Sequence, residues 1–281
     1  MANNSSNTVG LMVSSFRGGF FGDLMAEVQE VVDSAGKLMI VTQGRHSAES
    51  ERKAIEHLIK MRCDGLILHA RYLSDEEIIA IAEKAPPLVL IDRNIRKLAN
   101  NCITFDHVKA SEKAMGQLIG NGHRKIACMA GKLTKSKAYE RFQGYVNSLE
   151  RHHLPVDMNL VTEGAYERES GYSAAMELLA KARPFTAIYA CSEELAAGCM
   201  DAFRERNIRV PEDISLASYD SVDLCTFLTP HVTALHFPIT DMARTAGCLL
   251  MHRIHPDRFD APENTVFEGE LRIRESIKKL V

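Results

Sequence analysis

Val9-Gly-Leu-Met-Val13, followed by Phe20-Phe-Gly-Asp-Leu-Met-Ala-Glu-Val-Gln-Glu-Val-Val-Asp-Ser-Ala-Gly36 and Leu38-Met-Ile-Val41, decides the fold of this chain. The first apolar run is short enough for a buried strand. Behind it, Phe21, Leu24, Met25, Val28, Val31, Val32 and Ala35 recur at helical spacing, so residues 20–35 form a helix with one apolar face. Gly36 stops that helix and residues 38–41 return as a strand. The alternation continues with a helix over 47–62, carrying Ala48, Ile55, Leu58, Ile59 and Met61, and a strand over 65–68. Ser74-Asp-Glu-Glu77 is a capping box that opens a third helix, and Pro86-Pro87 extends the chain into a strand over 88–91. A second series follows: a helix over 108–119, the turn Asn121-Gly-His123, strands over 126–130, 187–190 and 215–218, and helices near 139–151, 170–182 and 193–206. Strands alternating with helices in this way build parallel sheets covered on both faces. Two successive sets of α/β units, each of roughly a hundred residues, predict two similar lobes. No internal sequence repeat relates them, and no Gly/Ser-rich or Pro-rich linker separates them.

At 281 residues the chain is long enough for two domains with substantial cores. Its 34 Lys and Arg against 37 Asp and Glu leave a net charge of −3 with no long basic block, which argues against a surface built to grip nucleic-acid phosphates. With 46% hydrophobic and 25% charged residues it has the balance of a soluble globular protein, and no apolar run approaches a membrane span. The start, Met1 to Thr8, is polar and lacks the basic and apolar regions of a signal peptide, so a cytoplasmic protein is expected. Cys63, Cys102, Cys128, Cys191, Cys199, Cys225 and Cys248 form an odd, scattered set without a CxxC pair, the pattern of reduced thiols used as small core residues.

Most catalytic signatures are missing. Neither GxxxxGK[ST] nor GxGxxG occurs, nor do GxSxG or HExxH. Gly18-Gly-Phe-Phe-Gly22 matches no phosphate fingerprint and reads as a flexible strand-to-helix turn. His252 and His255 have no Cys beside them to complete a metal set, and His152-His153 reads as a loop. Glu193-Glu194 reads as first-turn residues complementing a helix dipole. No catalytic residue, metal or cofactor is therefore expected.

Ligands of doubly wound sheets sit beyond the carboxyl ends of the strands, and there the sequence is informative. Ser14-Ser-Phe16 follows the first strand, with Phe20 and Phe21 close behind; Asp92-Arg93 follows the fourth; Ser192-Glu193 and Tyr219-Asp220 follow later ones. Taken singly, each Asp fits a helix cap and each Phe fits a core. Together they offer planar groups that bind vicinal hydroxyls and rings that stack on a pyranose, which suits a neutral polyol or sugar.

Asn121-Gly-His-Arg-Lys-Ile-Ala-Cys-Met-Ala-Gly131, Glu140-Arg-Phe-Gln-Gly-Tyr145, Val210-Pro-Glu-Asp-Ile-Ser-Leu-Ala-Ser-Tyr-Asp220 and Leu271-Arg-Ile-Arg-Glu-Ser276 resemble the recurring segments of the lactose/galactose-repressor family of bacterial regulators. The likeness runs from Val9 to Ser276. Within the family, Gly44-Arg-His-Ser-Ala-Glu49 and Arg71-Tyr-Leu-Ser74 resemble most the repressors for galactosides and β-glucosides.

The resemblance implies a periplasmic-binding-protein-like α/β fold: two doubly wound parallel-sheet lobes joined by three crossovers, near 104, 237 and 265. The N-terminal lobe would be 8–105 plus 238–265 and the C-terminal lobe 106–237 plus 266–281. It implies a homodimer that binds a sugar or glycoside, phosphorylated or not, in the cleft between the lobes. Lobe closure would pass to a helix-turn-helix head that contacts operator DNA, and the first strand at Val9 leads to the expectation that this chain lacks that head. Carried over residue by residue, the ligand positions fall on Asp92 with Arg93 beside it, Arg141, Asp220 and His236, with Ser15, Phe16 and Phe20 or Phe21 from the first strand. Where many relatives carry Asn-Asp, this chain has Ser192-Glu193, so the usual bidentate amide grip on a hydroxyl pair is lost. His46 and His69, at the ends of the second and third strands, and Glu193 complete the candidates. A sugar transport receptor shares the fold and is the alternative; the missing export signal and the free cysteines count against it.

Overall fold

The computed structural model describes residues 6–181 and 184–280. In chain order its strands and helices are β1 (Thr8–Val13), α1 (Gly19–Ser34), β2 (Leu38–Gln43), α2 (Ala48–Lys60), β3 (Gly65–Leu68), α3 (Asp75–Ala82), β4 (Leu88–Ile91) and β5 (Cys102–Phe105). There follow α4 (His107–Gly120), β6 (Ile126–Gly131), α5 (Ser136–Arg151), β7 (Val161–Gly164), α6 (Arg168–Ala180), β8 (Ala187–Ala190) and α7 (Glu193–Glu205). The chain ends with β9 (Ser215–Asp220), β10 (Thr233–His236), α8 (Ile239–Ile254), β11 (Val266–Phe267) and β12 (Glu270–Arg272). The expected helix end at 182 and the lobe end at 281 lie outside the described residues.

The chain forms two compact units, Met1–Phe105 with Pro238–Phe267 and Asp106–Phe237 with Glu268–Val281. The first sheet runs β11-β5-β4-β3-β1-β2 and the second β12-β10-β9-β8-β6-β7. Two findings adjust the expectation. Val266 and Phe267 pair in parallel with Thr104 and Phe105, so the returning segment belongs to the first unit for two residues longer than expected. The second sheet is not wholly parallel, because β12 runs antiparallel to β10, with Leu271 opposite Leu235.

Every residue of β1, β3, β4, β6, β8 and β9 is buried, as parallel strands covered on both faces require. Six of the seven cysteines are buried, and Cys248 is partly so. Ser74 caps α3 in the expected box, accepting from the Glu77 N–H while the Glu77 carboxylate accepts from the Ser74 N–H. Gly18, at φ 91°, is the residue preceding α1, a conformation that suits glycine. His255 lies past the end of α8 and His252 Nδ1 bonds the Phe259 carbonyl, so the two do not form a ligand pair on one helix. Among the described residues no group of three His, Cys, Asp or Glu could hold a metal ion, and no helix is long and apolar enough to cross a membrane.

In each sheet the order reverses beside the first strand of its unit: between β1 and β3 in one, between β6 and β8 in the other. The crevice outside the carboxyl ends at such a point is where open α/β sheets hold ligands. At the opposite, amino ends of these strands, Lys37 and Asp64 form a buried ion pair of 2.6 Å that joins the chain entering β2 to the chain entering β3. Helices α6 and α7 approach closely enough that a Cβ at Gly198 would lie 1.9 Å from the Arg168 carbonyl oxygen. Gly198→Ala must push two backbones apart and should lower stability by about 3 kcal/mol. Gly116→Ala, on an exposed face of α4 with no atom within 4 Å, should be neutral or stabilising by up to about 1 kcal/mol. Urea unfolding of the two variants checks the contrast.

Candidate functional site

Each unit carries a group of polar and aromatic side chains at the carboxyl ends of its strands. In the first unit, β1 and β3 run in register with Met12 beside Leu68, and Ser14 and His69, each just past the end of its strand, meet there. Both are buried, at 2% and 1% exposure. Ser14 Oγ lies 3.1 Å from His69 Nδ1 and donates to the His69 carbonyl at 3.1 Å. Arg71 Nε donates to His69 Nε2 at 3.1 Å, so Nε2 is the bare nitrogen and Nδ1 carries the proton toward Ser14. Phe20 and Phe21, half-buried at the start of α1, place their rings 5.6 Å from the imidazole and meet each other edge to face at 5.0 Å. Arg71 Nη2 reaches Asp92 Oδ2 at 3.3 Å. Asp92 leaves β4 in the left-handed region, at φ 55°, and its carboxylate is fully buried.

The loop presenting Arg71 is held from two sides. Glu51, buried on α2, accepts from the N–H groups of Arg71, Tyr72 and Leu73 at 2.8, 2.9 and 2.9 Å. Arg93 donates to the carbonyls of Ala70 and Leu73 at 3.1 and 2.7 Å and pairs with Asp75 at 2.6 Å. Arg93 thus ties down the loop rather than standing beside Asp92 as a second ligand group. Ser15 Oγ accepts from the Arg17 N–H at 3.0 Å in a local turn, Phe16 is half exposed, and His46 sits against Tyr72 with ring centroids 6.0 Å apart.

In the second unit Arg141 is the centre. Projecting from α5, it donates from Nη1 to the Cys191 carbonyl at 2.6 Å and from Nε to His107 Nδ1 at 3.2 Å. Its guanidinium lies 4.0 Å from the Tyr219 ring centroid and 5.3 Å from that of Tyr166. Carbonyl dipoles and π faces thereby replace water around a charge that is only 8% exposed. Gly131 makes room, since a Cβ there would lie 2.7 Å from the Tyr166 ring. His107 stacks on Phe237 at 5.4 Å, and its carbonyl accepts from the Tyr219 hydroxyl at 2.9 Å. Burial pushes the Tyr219 phenol upward against the opposing Arg141 charge, so it stays a neutral donor.

Ser192 is the N-cap of α7, its hydroxyl accepting from the Leu195 N–H at 3.2 Å. Glu193 accepts from the Ser221 hydroxyl. Asp220, fully buried at the end of β9, pairs in register with His236 on β10, and its Oδ2 lies 3.5 Å from Arg274 Nη2. Burial, reinforced by the Glu193 charge, raises the Asp220 carboxyl to about 6. A cavity of about 500 Å³ at the other end of β4, lined by Pro86, Leu88 and Leu98, contains none of these groups.

The structure therefore brings together Phe20, Phe21, His69 and Asp92 in one unit, and Arg141, Asp220, His236, Ser192 and Glu193 around the strand ends of the other. It adds residues the sequence reading did not single out for a site, Glu51 and Arg71 in the first and His107, Tyr166 and Arg274 in the second, and gives contacts to Ser14 and Tyr219 from the strand-end stretches. Two of these carried a signal. Glu51 stands three residues after Ala48 and four before Ile55 on the apolar stripe of α2, and His107 stands likewise before Ala110, Ala114 and Leu118 on α4.

The profile of the periplasmic binding protein-like domain matches residues 115–277. The HTH-type transcriptional regulator GalR of Escherichia coli K12 is 33% identical over 278 residues, covering 99% of this chain and 80% of the relative. The HTH-type transcriptional regulator AscG of the same organism is 29% identical, covering 97% and 82%. A solved sugar-binding transcriptional regulator of the LacI family from Escherichia coli, complexed with phosphate, superposes with a TM-score of 0.89 at 29% identity over 98% of this chain and all of that one. With this fold, these strand-end groups and likeness over nearly its whole length, the chain belongs to the LacI family of transcriptional regulators.

Proposed function

We propose that this chain is the part of a repressor that senses a sugar or glycoside, and that effector binding uses the strand-end residues described for each unit. The observation that carries the reading is a pair of buried opposite charges at the strand ends: Asp92 beside Arg71, and Arg141 among rings and a carbonyl. Sugar hydroxyls donate and accept at once, so side chains of both kinds read them, and aromatic faces cover the apolar side of the ring. The effector shifts the protein toward whichever conformation it binds more tightly, and a helix-turn-helix head converts that shift into operator affinity. The active protein is a homodimer in the cytoplasm. The relatives are transcriptional regulators, which disfavours the transport-receptor reading.

Two departures shape the site. The Ser192 hydroxyl caps α7, so this position supplies no amide fork for a hydroxyl pair. Asp220 accepts from a sugar hydroxyl as the carboxylate, and its raised pKa makes that state dependent on pH.

Calorimetric titration with D-galactose, cellobiose, salicin and glucose 6-phosphate tests the reading. Asp92→Asn and Arg141→Lys should each weaken the binding sugar by about 10- to 100-fold, the cost of leaving its buried hydroxyls unpaired. Sugar binding unaltered by both substitutions would contradict the assignment. Affinity should also fall as the pH drops below about 6 and Asp220 takes up a proton, and this dependence should vanish in Asp220→Asn. Stability carries the opposite sign. The folded carboxyl binds its proton more tightly than an unfolded Asp at about 3.9, so its contribution to stability decreases as pH rises from about 4 to 6. Asp220→Asn should therefore be more stable than the parent above pH 6, by up to about 3 kcal/mol. Urea midpoints should converge below pH 4.

A further inference from the structure

We propose that Arg71 is a specificity-determining contact for the effector, reading a neutral vicinal diol together with Asp92, and that Glu51 is the residue that positions it. The proposal rests on the effector reading above and deepens it. A guanidinium has five N–H donors. In Arg71, Nε–H goes to His69 Nε2 and one Nη2–H to Asp92 Oδ2, and among the described residues no protein group takes the other three. The side chain is 32% exposed, and its bonds to His69 and Asp92 set the direction of the remaining donors.

The neighbour decides what they bind. Asp92 places a buried negative charge 3.3 Å from the guanidinium, so the two charges offset each other locally. Two adjacent hydroxyls fit such a pair: one gives its proton to the carboxylate while the other accepts from the guanidinium. A phosphate meets the attraction of Arg71 together with the repulsion of the buried Asp92 charge. The pair therefore selects a neutral glycoside over a sugar phosphate at this end of the effector.

Glu51 sets the direction of the fork. A buried carboxylate on the apolar stripe of a helix is costly unless its oxygens are hydrogen-bonded. Here Oε1 takes the N–H of Arg71 itself, and Oε2 takes those of Tyr72 and Leu73, so three successive backbone groups are fixed immediately after His69. Gly44 leaves space for this arrangement, because a Cβ there would lie 2.7 Å from Glu51 Cγ. The geometry makes Glu51→Gln a selective probe. With the amide oxygen in the Oε2 place, Tyr72 and Leu73 keep their acceptor while the amide NH2 confronts the N–H of Arg71.

The test combines affinity with a double-mutant cycle, using D-galactose, cellobiose, salicin and glucose 6-phosphate as probes. Binding of the neutral sugar should weaken about 10- to 100-fold in Arg71→Gln. Glu51→Gln should lose at least tenfold while unfolding at a similar urea concentration, and the double variant should bind no more weakly than Arg71→Gln alone. Glucose 6-phosphate should bind the parent more weakly than the neutral sugars, and gain relative to them in Asp92→Asn. Additive losses, parent-like affinity in either single variant, or a preference for the phosphate overturns the proposal. Amide hydrogen exchange supplies a measurement that needs no ligand. Glu51→Gln should accelerate exchange at Arg71 at least tenfold more than at Leu73, and equal rates overturn the positioning role. Binding of none of the four probes by the parent overturns the effector reading and the diol assignment, leaving the exchange result to decide the role of Glu51 in the loop.

Discussion

A parallel strand covered by helices on both faces can present polar side chains only where it ends, and the functional chemistry of this chain follows from that constraint. Along β1, β3, β4, β6, β8 and β9 every residue is buried, and the ladders satisfy the backbone. Lys132, which follows β6, is exposed, but Ser14, His69, Asp92, Cys191 and Ser221, which follow the other five, are all buried too. They are therefore not solvated loop residues. Each must find its partners inside the protein or in a ligand, which is why a serine, a histidine, an arginine and an aspartate from three different connections meet in the first unit.

Charge in such a place is tolerated in three ways. Arg141 is surrounded by a carbonyl, an imidazole nitrogen and two π faces. Asp92 and Arg71 offset each other, and Glu51 is neutralised by backbone dipoles. Asp220 is the exception: with Arg274 no nearer than 3.5 Å and Glu193 adding to its burial, it holds its charge only above a pH of about 6. A carboxylate kept in an unfavourable environment by the fold is a stability cost, the kind of cost that binding positions carry.

The architecture was legible because its signals are local. The switch from an apolar run to helical spacing, the Ser74 capping box and the glycine stops each belong to a few neighbouring residues. Motifs that pointed to the family turn out to be mostly packing devices. Gly144 lets α4 and α5 touch, since a Cβ there would lie 2.4 Å from the Val108 carbonyl; Tyr145 bonds the Ile126 carbonyl at 2.9 Å; and His123 links Thr186 to Lys278. The very short strands escaped notice: the pairing of β11 with β5 is two residues long and has no sequence periodicity to betray it. In the site, Asp92, Arg141 and Asp220 were legible from strand ends and family motifs. The roles of Arg93 and Ser192 were not, because a loop clamp and a ligand contact use the same residue types. Arg71 depends on Glu51, 20 residues away on another element, a relation only tertiary structure reveals.

The central claim is that effector binding resides at the carboxyl ends of the strands. Side-chain and backbone NMR shifts during titration with D-galactose, cellobiose or salicin test it most directly. The account predicts that the largest changes cluster at Ser14, His69, Arg71 and Asp92 in one unit and at Arg141, Ser192 and Asp220 in the other, with Lys37 and Asp64 at the opposite strand ends unmoved. Changes concentrated at those opposite ends, or confined to residues outside both groups, would contradict it.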